Sequence, residues 1–206
     1  MRWWADRSAR RWAAAALLAC ACARAPAALP PPPPLPSPPI LPTRCERIVA
    51  IEVHKSERRL IAHCEGGDVV QLPVAVGRAN VGPKRDAGDS RTPEGHYRVS
   101  GPAHESRFHR FVPIDYPSLA DAEVGLADGR LSEADYRRIA DAHARGETPP
   151  PDTALGGALG FHGEGARWAG DSQFFDWTYG CIALADRDVD FIAARVEVGT
   201  PVVIEP

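Results

Sequence analysis

The sequence has no apolar run of membrane-spanning length, no extended basic run, no HxxxH or CxxC spacing and no internal repeat. A spanning helix needs about 20 predominantly apolar residues, and the run from Trp12 to Ala19 is far too short. From Ala25 onward 19 residues are Lys or Arg and 26 are Asp or Glu, a net charge of −7 against −3 for the whole chain. A mildly acidic domain without a basic run argues against nucleic acid as a partner. The missing spacings argue against a zinc site built on His162, His104 or His109. No metal or cofactor is implied.

Cysteine is also scarce where it matters. Of five, Cys20 and Cys22 sit in or beside the N-terminal leader, which leaves Cys45, Cys64 and Cys181. An odd cysteine in an exported chain points to a reactive thiol or an intermolecular bridge.

Export is what the N-terminus predicts. Arg2, Arg7, Arg10 and Arg11 precede the short apolar run, and small residues follow, which is the pattern of a secretory signal peptide over residues 1–24. Two readings of its end stand together. Leu17-Leu18-Ala19-Cys20 resembles a lipobox, with Cys20 lipidated and anchoring the chain, while Ala21-Cys22-Ala23 and Ala25-Pro26-Ala27 are ordinary small-x-small cleavage sites. The chain is expected in the periplasm or cell envelope, with membrane contact only through such an anchor. Residues 25–43 contain LPPPPPLPSPPILP, a proline run that extends as polyproline II and reads as a stiff spacer. Proline-rich stretches also dock to SH3-like domains. Residues 44–206 then suffice for one domain with a real core.

Within that domain RIVAIEV (47–53), RRLIAHC (58–64) and VVQLPVAVG (69–77) are β-rich runs parted by the turns HKSE and EGGD, and they predict an antiparallel meander. With Val53 facing Arg58 across the first turn, Cys45 and Cys64 fall nearly opposite, within reach of a disulfide. The alternative is two buried thiols. RANVGPKRDAGDSRTPEG (78–95) is a long loop, and its Gly77-x4-Gly82-Pro83-Lys84 fails as a phosphate-binding loop because Pro83 interrupts it. Leu131–Gly146 predicts an amphipathic helix with Ser132 as N-cap and Gly146 as stop. Its apolar face, Leu131, Tyr136, Ile139 and Ala140, needs a neighbour, and the helix either shapes the cleft wall or packs away from it. A short strand ends at His162, Asp186 is placed to cap a helix through Arg195, and TPVVIEP closes as a strand. The class is mainly β with helical insertions.

A nucleophilic cysteine needs a base, oxyanion donors and a group that fixes the base. In Thr178-Tyr179-Gly180-Cys181 the glycine allows a tight turn whose N–H groups converge beside the sulfur. His162, followed by Gly163, is the best placed of the seven histidines. Taken alone, a cysteine beside isoleucine is usually a small core residue, and a histidine after a strand usually a surface one.

FHG, with the cysteine of TYGCIAL nineteen residues after His162, resembles the L,D-transpeptidase catalytic domain, the YkuD family. The similarity runs over most of Arg47 to Glu205 and includes LPVAVG, GDSRTPEGHYRV and SRFHRFVPIDYP. The resemblance implies a β-sandwich-like fold with short helical insertions. It implies that Cys181 attacks the diaminopimelate carbonyl of a peptidoglycan tetrapeptide stem, releases D-alanine and leaves a thioester, in cell wall crosslinking or remodelling. His162 is then the base, the Gly163 carbonyl orients it, and the amides of Tyr179, Gly180 and Cys181 form the oxyanion hole, with Trp177 and Thr178 in the substrate-binding segment. A Cys181 paired with an imidazolium is expected to be a fast-reacting thiolate. Trp177 and Phe174-Phe175 are candidates for an apolar wall. Tyr179 stands where many members have histidine and Ala183 where many have arginine, which bears on the acceptor. Hydrolysis of the amidase or L,D-carboxypeptidase type, or a non-catalytic peptidoglycan-binding module, are the alternatives.

Overall fold

The computed structural model describes residues 45–167 and 172–206; the expected leader, Cys20 and the proline linker lie outside them. Alternating apolar residues build β1 (Ile48–His54), β2 (Arg59–Cys64) and β3 (Val69–Pro73) into an antiparallel meander. Ile51, Val53, Leu60, Ala62, Val70 and Leu72 face the core, as a half-buried sheet requires. The register departs from expectation by two residues. Val53 pairs with Leu60, because the turn takes in Lys55 through Arg58 and holds Arg58 at φ 49°. A bulge between Ile48 and Ala50 then sets Ile48 opposite Cys64. Cys45 and Cys64 form a disulfide with Cα atoms 5.3 Å apart.

β9 (Pro201–Glu205) lies parallel to β1, and β4 (Gly95–Arg98) closes antiparallel to β9, so the first sheet has the order β3-β2-β1-β9-β4. The second sheet is β5 (His104–Ser106), β6 (His109–Pro113), β7 (Gly160–His162) and β8 (Ile182–Ala183), in that order, parallel only between β7 and β8. Side chains from both sheets, among them Ile51, Leu72, Ile114, Phe161, Ile182 and Val202, share one core.

The long run VVQLPVAVG explains how the sheets are joined. Its first half is β3. Its second half, Val74–Val76, is buried on all sides and crosses to the second sheet, where Ala75 exchanges backbone hydrogen bonds of 2.9 and 2.8 Å with Ala183. Gly77 completes the crossing so close to the next loop that a Cβ would lie 2.2 Å from the Ser90 carbonyl oxygen. The segment that carries Cys181 is thereby held by strands on two sides.

Among the described residues there are three α-helices: α1 (Leu119–Ala127), α2 (Glu133–Arg145) and α3 (Asp186–Ala193). α2 has the expected caps, with Ser132 accepting from the Asp135 amide and Gly146 left-handed at φ 67°. α1 was not anticipated, although Ser118 and Asp121 form a reciprocal capping box at its start. The two helices bury Ala122, Leu131, Ile139 and Leu155 between them, with Tyr136 half-buried beside them. The neighbour that covers the apolar face of α2 is therefore α1. Leu155 links this pair to the segment that follows it, Gly156 onward. α3 corrects another expectation: its N-cap is Ala185 with no side-chain cap bond, and Asp186 is its first helical residue.

Candidate active site

His162 ends β7 and is buried between its neighbours. Phe161 pairs with Ile182 and His162 with Ala183, so strand alternation sets His162, Ala183 and Cys181 on one face. Both His162 and Cys181 line a cleft of about 870 Å³. Nδ1 of His162 lies 2.7 Å from the Gly163 carbonyl oxygen. A carbonyl only accepts, so Nδ1 carries the proton and Nε2 is left as the acceptor nitrogen. Phe108 stacks on the ring at 4.7 Å and Trp177 meets it edge-on at 5.5 Å. Burial lowers the imidazole pKa, the Gly163 hydrogen bond opposes this, and the charge on Arg107 adds to the lowering. The ring rests neutral, in the form a base requires.

Cys181 is the free cysteine among the described residues, is half-buried, and lines the cleft. Crowding around the sulfur pushes its pKa up to about 11, against weaker pulls downward from the Gly160 backbone and the Lys84 ammonium. Lys84 can do little, since Asp89 neutralises it at 2.7 Å. The resting pair is thus neutral thiol and neutral imidazole. Burial opposes the thiolate expected from the sequence.

The turn before Cys181 is pinned by Thr178, whose hydroxyl accepts from the Gly180 amide at 3.1 Å and donates to the Cys181 carbonyl at 2.7 Å. Gly180 has φ 130° and passes the Arg91 carbonyl so closely that a Cβ would lie 2.6 Å from its oxygen. Only glycine suits this position. Because the Gly180 N–H is committed to Thr178, it is not free to serve as an oxyanion donor. The amides of Tyr179 and Cys181 make no hydrogen bond among the described residues. Tyr179 is exposed beneath the Arg78 guanidinium, 4.5 Å from its ring centre. Trp177 and Thr178 line the cleft, whereas Phe174 and Phe175 are exposed and do not. The expected aromatic wall is instead Phe108 with Trp177.

The turn after His162 is fixed just as firmly. Asp186 Oδ1 accepts from the amides of Glu164, 2.7 Å, and Gly165, 3.1 Å. A Cβ at Gly163 would lie 2.4 Å from that same oxygen. Glu164 is buried and accepts from the Ser172 amide and hydroxyl at 2.9 and 2.6 Å. Asp186 and Phe108 escaped sequence reasoning. Asp186 looked like a helix cap, and Phe108 lay inside the SRFHRF segment without a role.

The family model of the L,D-transpeptidase catalytic domain, YkuD, matches residues 48–204. The chain belongs to this family. The YkuD match takes in every strand and helix described above save Glu205, the last residue of β9. Among solved structures the chain is similar to an L,D-transpeptidase of Xylanimonas cellulosilytica (14% identity, 78% of this chain and 62% of that one, TM-score 0.41). It is also similar to Bd1075 of Bdellovibrio bacteriovorus (19%, 81% and 50%, TM-score 0.45) and to an Enterococcus faecium L,D-transpeptidase (15%, 77% and 50%, TM-score 0.45). The chain spans between half and about three-fifths of those solved chains, and the family assignment rests on the domain match alone. No curated protein matches the sequence.

Proposed function

We propose that this YkuD domain is a cysteine-dependent peptidoglycan L,D-transpeptidase that cleaves the diaminopimelate–D-alanine bond of tetrapeptide stems through a Cys181 thioester. The observation that carries the reading is the hydrogen bond from His162 Nδ1 to the Gly163 carbonyl, which leaves Nε2 basic in the cleft that holds the free thiol.

The neutral resting pair dictates the order of events. A thiol raised to about 11 is a poor nucleophile on its own. Nε2 takes the Sγ proton as sulfur attacks the carbonyl carbon. The carbonyl oxygen gains negative charge and is met by the amides of Tyr179 and Cys181. The tetrahedral adduct collapses, the C–N bond breaks, and the imidazolium returns its proton to the leaving amine of D-alanine. Sulfur retains the acyl group as a thioester. An acceptor amine then attacks, loses its proton to Nε2, and the Cys181 thiol is restored as the new amide forms.

Ala183 favours a second reading. It is fully buried, and no guanidinium stands at this position to orient an acceptor, so water entering a broad cleft would give hydrolysis to tripeptides. Incubating the purified domain with disaccharide-tetrapeptides and weighing the products separates the two. Direct diaminopimelate-to-diaminopimelate dimers are expected; tripeptides alone would favour the L,D-carboxypeptidase. Export to an oxidising compartment is part of the proposal and is supported by the Cys45–Cys64 bridge. Anchoring at Cys20 and cleavage beyond it are the two forms it allows.

A further inference from the structure

An arginine is laid on an aromatic ring twice at this cleft, once on the segment that carries Cys181 and once on the ring that stacks on His162. Arg78 lies over Tyr179, two residues before Cys181, and its Nε donates to the Trp177 carbonyl at 3.1 Å. Arg107 lies 4.7 Å over the ring of Phe108, which itself stacks on His162. Both arginines line the cleft, and neither has a carboxylate partner among the described residues. Many other arginines are neutralised, Arg47 by Glu65, Arg58 by Asp176, Arg130 by Asp128 and Arg138 by Asp152. Arg195 also lies over a ring, that of Phe191, but away from the cleft and with its N–H groups spent on the Cys45 and Phe191 carbonyls, so what sets Arg78 and Arg107 apart is their place in the cleft. The other charges at the cleft are accounted for as well. Lys84 is held by Asp89, and Glu164 is buried and bonded to Ser172. Two unneutralised guanidinium groups therefore face a cleft in a domain whose net charge is −7 from Ala25 onward. Stacking on a ring holds each planar fork in place while its outer N–H groups remain available for a carboxylate.

Resting on the reading above, we infer that Arg78 and Arg107 bind stem-peptide carboxylates on opposite sides of the scissile bond, Arg78 on the acyl side and Arg107 on the leaving side. The chemistry assigns the sides. His162 must protonate the leaving amine, so the departing D-alanine lies beside the imidazole, and its carboxylate, one carbon from that amine, reaches the guanidinium on Phe108. The acyl part stays on Cys181, where Arg78 over Tyr179 meets the free carboxylate at the far end of the diaminopimelate side chain. The acceptor amine for transfer sits on that same kind of D-configured centre, an amine and a carboxylate on one carbon, as in D-alanine. One Arg107 subsite thus serves both the leaving group and the acceptor. The carboxylate-orienting role left vacant by Ala183 is supplied from two other segments of the chain.

The test measures kcat/KM on three tetrapeptides: the natural stem, one ending in D-alaninamide, and one with lysine in place of diaminopimelate. Each lost carboxylate should cost the unmodified domain about tenfold, the scale of one charge-assisted pair. Arg107→Gln should lose about tenfold on the natural stem and no longer distinguish D-alanine from D-alaninamide, while still preferring diaminopimelate to lysine. Arg78→Gln should show the reverse pattern. Variants that keep both preferences overturn the inference. Binding of the natural stem to Cys181→Ala protein reads the clamp without turnover: adding either arginine change should raise Kd about tenfold, and an unchanged Kd overturns it. Tight, arginine-dependent binding by a domain that turns over no stem would instead refute the proposed function and leave the clamp standing. Far-ultraviolet circular dichroism confirms that each variant is folded.

Discussion

Asp186 Oδ1 lies 2.7 Å from the Glu164 amide, and this contact ties the start of the helix after Cys181 to the turn after His162. The turn carries the Gly163 carbonyl that sets the imidazole tautomer. Nucleophile and base are thus referenced to each other through a carboxylate that touches neither.

Asp186→Ala should lower kcat/KM by roughly tenfold, about the scale of losing one charge-assisted hydrogen bond. Asp186→Asn keeps an acceptor oxygen for both amides and should retain most activity. A merely structural role would lower thermal stability equally in both variants without separating their pH profiles. The pH dependence of kcat/KM for the two is the measurement, and identical profiles and losses would remove Asp186 from the positioning of His162.

The resting thiol gives a pH signature. With Cys181 raised to about 11, iodoacetamide labelling should climb about tenfold per pH unit between pH 7 and 9, because only the thiolate reacts. A thiolate–imidazolium pair would give a flat rate there. His162→Ala should leave this labelling almost unchanged while slowing turnover of stems by 10²- to 10⁴-fold, about the usual contribution of a general base. Stability has a matching sign. The thiol pKa is higher folded than unfolded, so its contribution is full below about 8.5 and is lost as pH rises toward the folded value.

The Cys45–Cys64 bridge closes a loop with a sequence separation of 19. Replacing both cysteines by alanine should cost on the order of 3 kcal/mol and lower Tm by roughly 6–12 °C for a domain of this size. Stem turnover at 25 °C should survive, since the bridge lies outside the cleft residues. Calorimetry with and without reductant checks this, and equal melting points would show the bridge to be unimportant.

How far the sequence could be read follows from how far each determinant lies along the chain. The β1–β3 meander and α2 were legible because alternation, turn residues and caps act within a few positions. The register of the first hairpin was not, since it depends on Arg58 adopting a left-handed conformation that its residue type disfavours. α1 was hidden by Gly125 inside LADAEVGLA, and that glycine is there for packing: a Cβ would press to 3.1 Å from Leu155. Cys181 and His162 came from a motif and its spacing. What escaped was tertiary. Asp186 reaches back 22 residues to the Glu164 amide, Phe108 arrives from the β5–β6 hairpin, and Thr178 claims the Gly180 N–H that a local reading assigned to the oxyanion. The thiol pKa followed neighbours brought together only by folding.

The most direct test of the central claim is the intact mass of the protein shortly after mixing with a tetrapeptide stem. The account predicts a tripeptide-acyl adduct on Cys181, sensitive to hydroxylamine, with one D-alanine released per adduct, and no adduct in Cys181→Ala protein. Turnover of the stem by Cys181→Ala protein, or a folded domain that releases no D-alanine and forms no adduct, would contradict it.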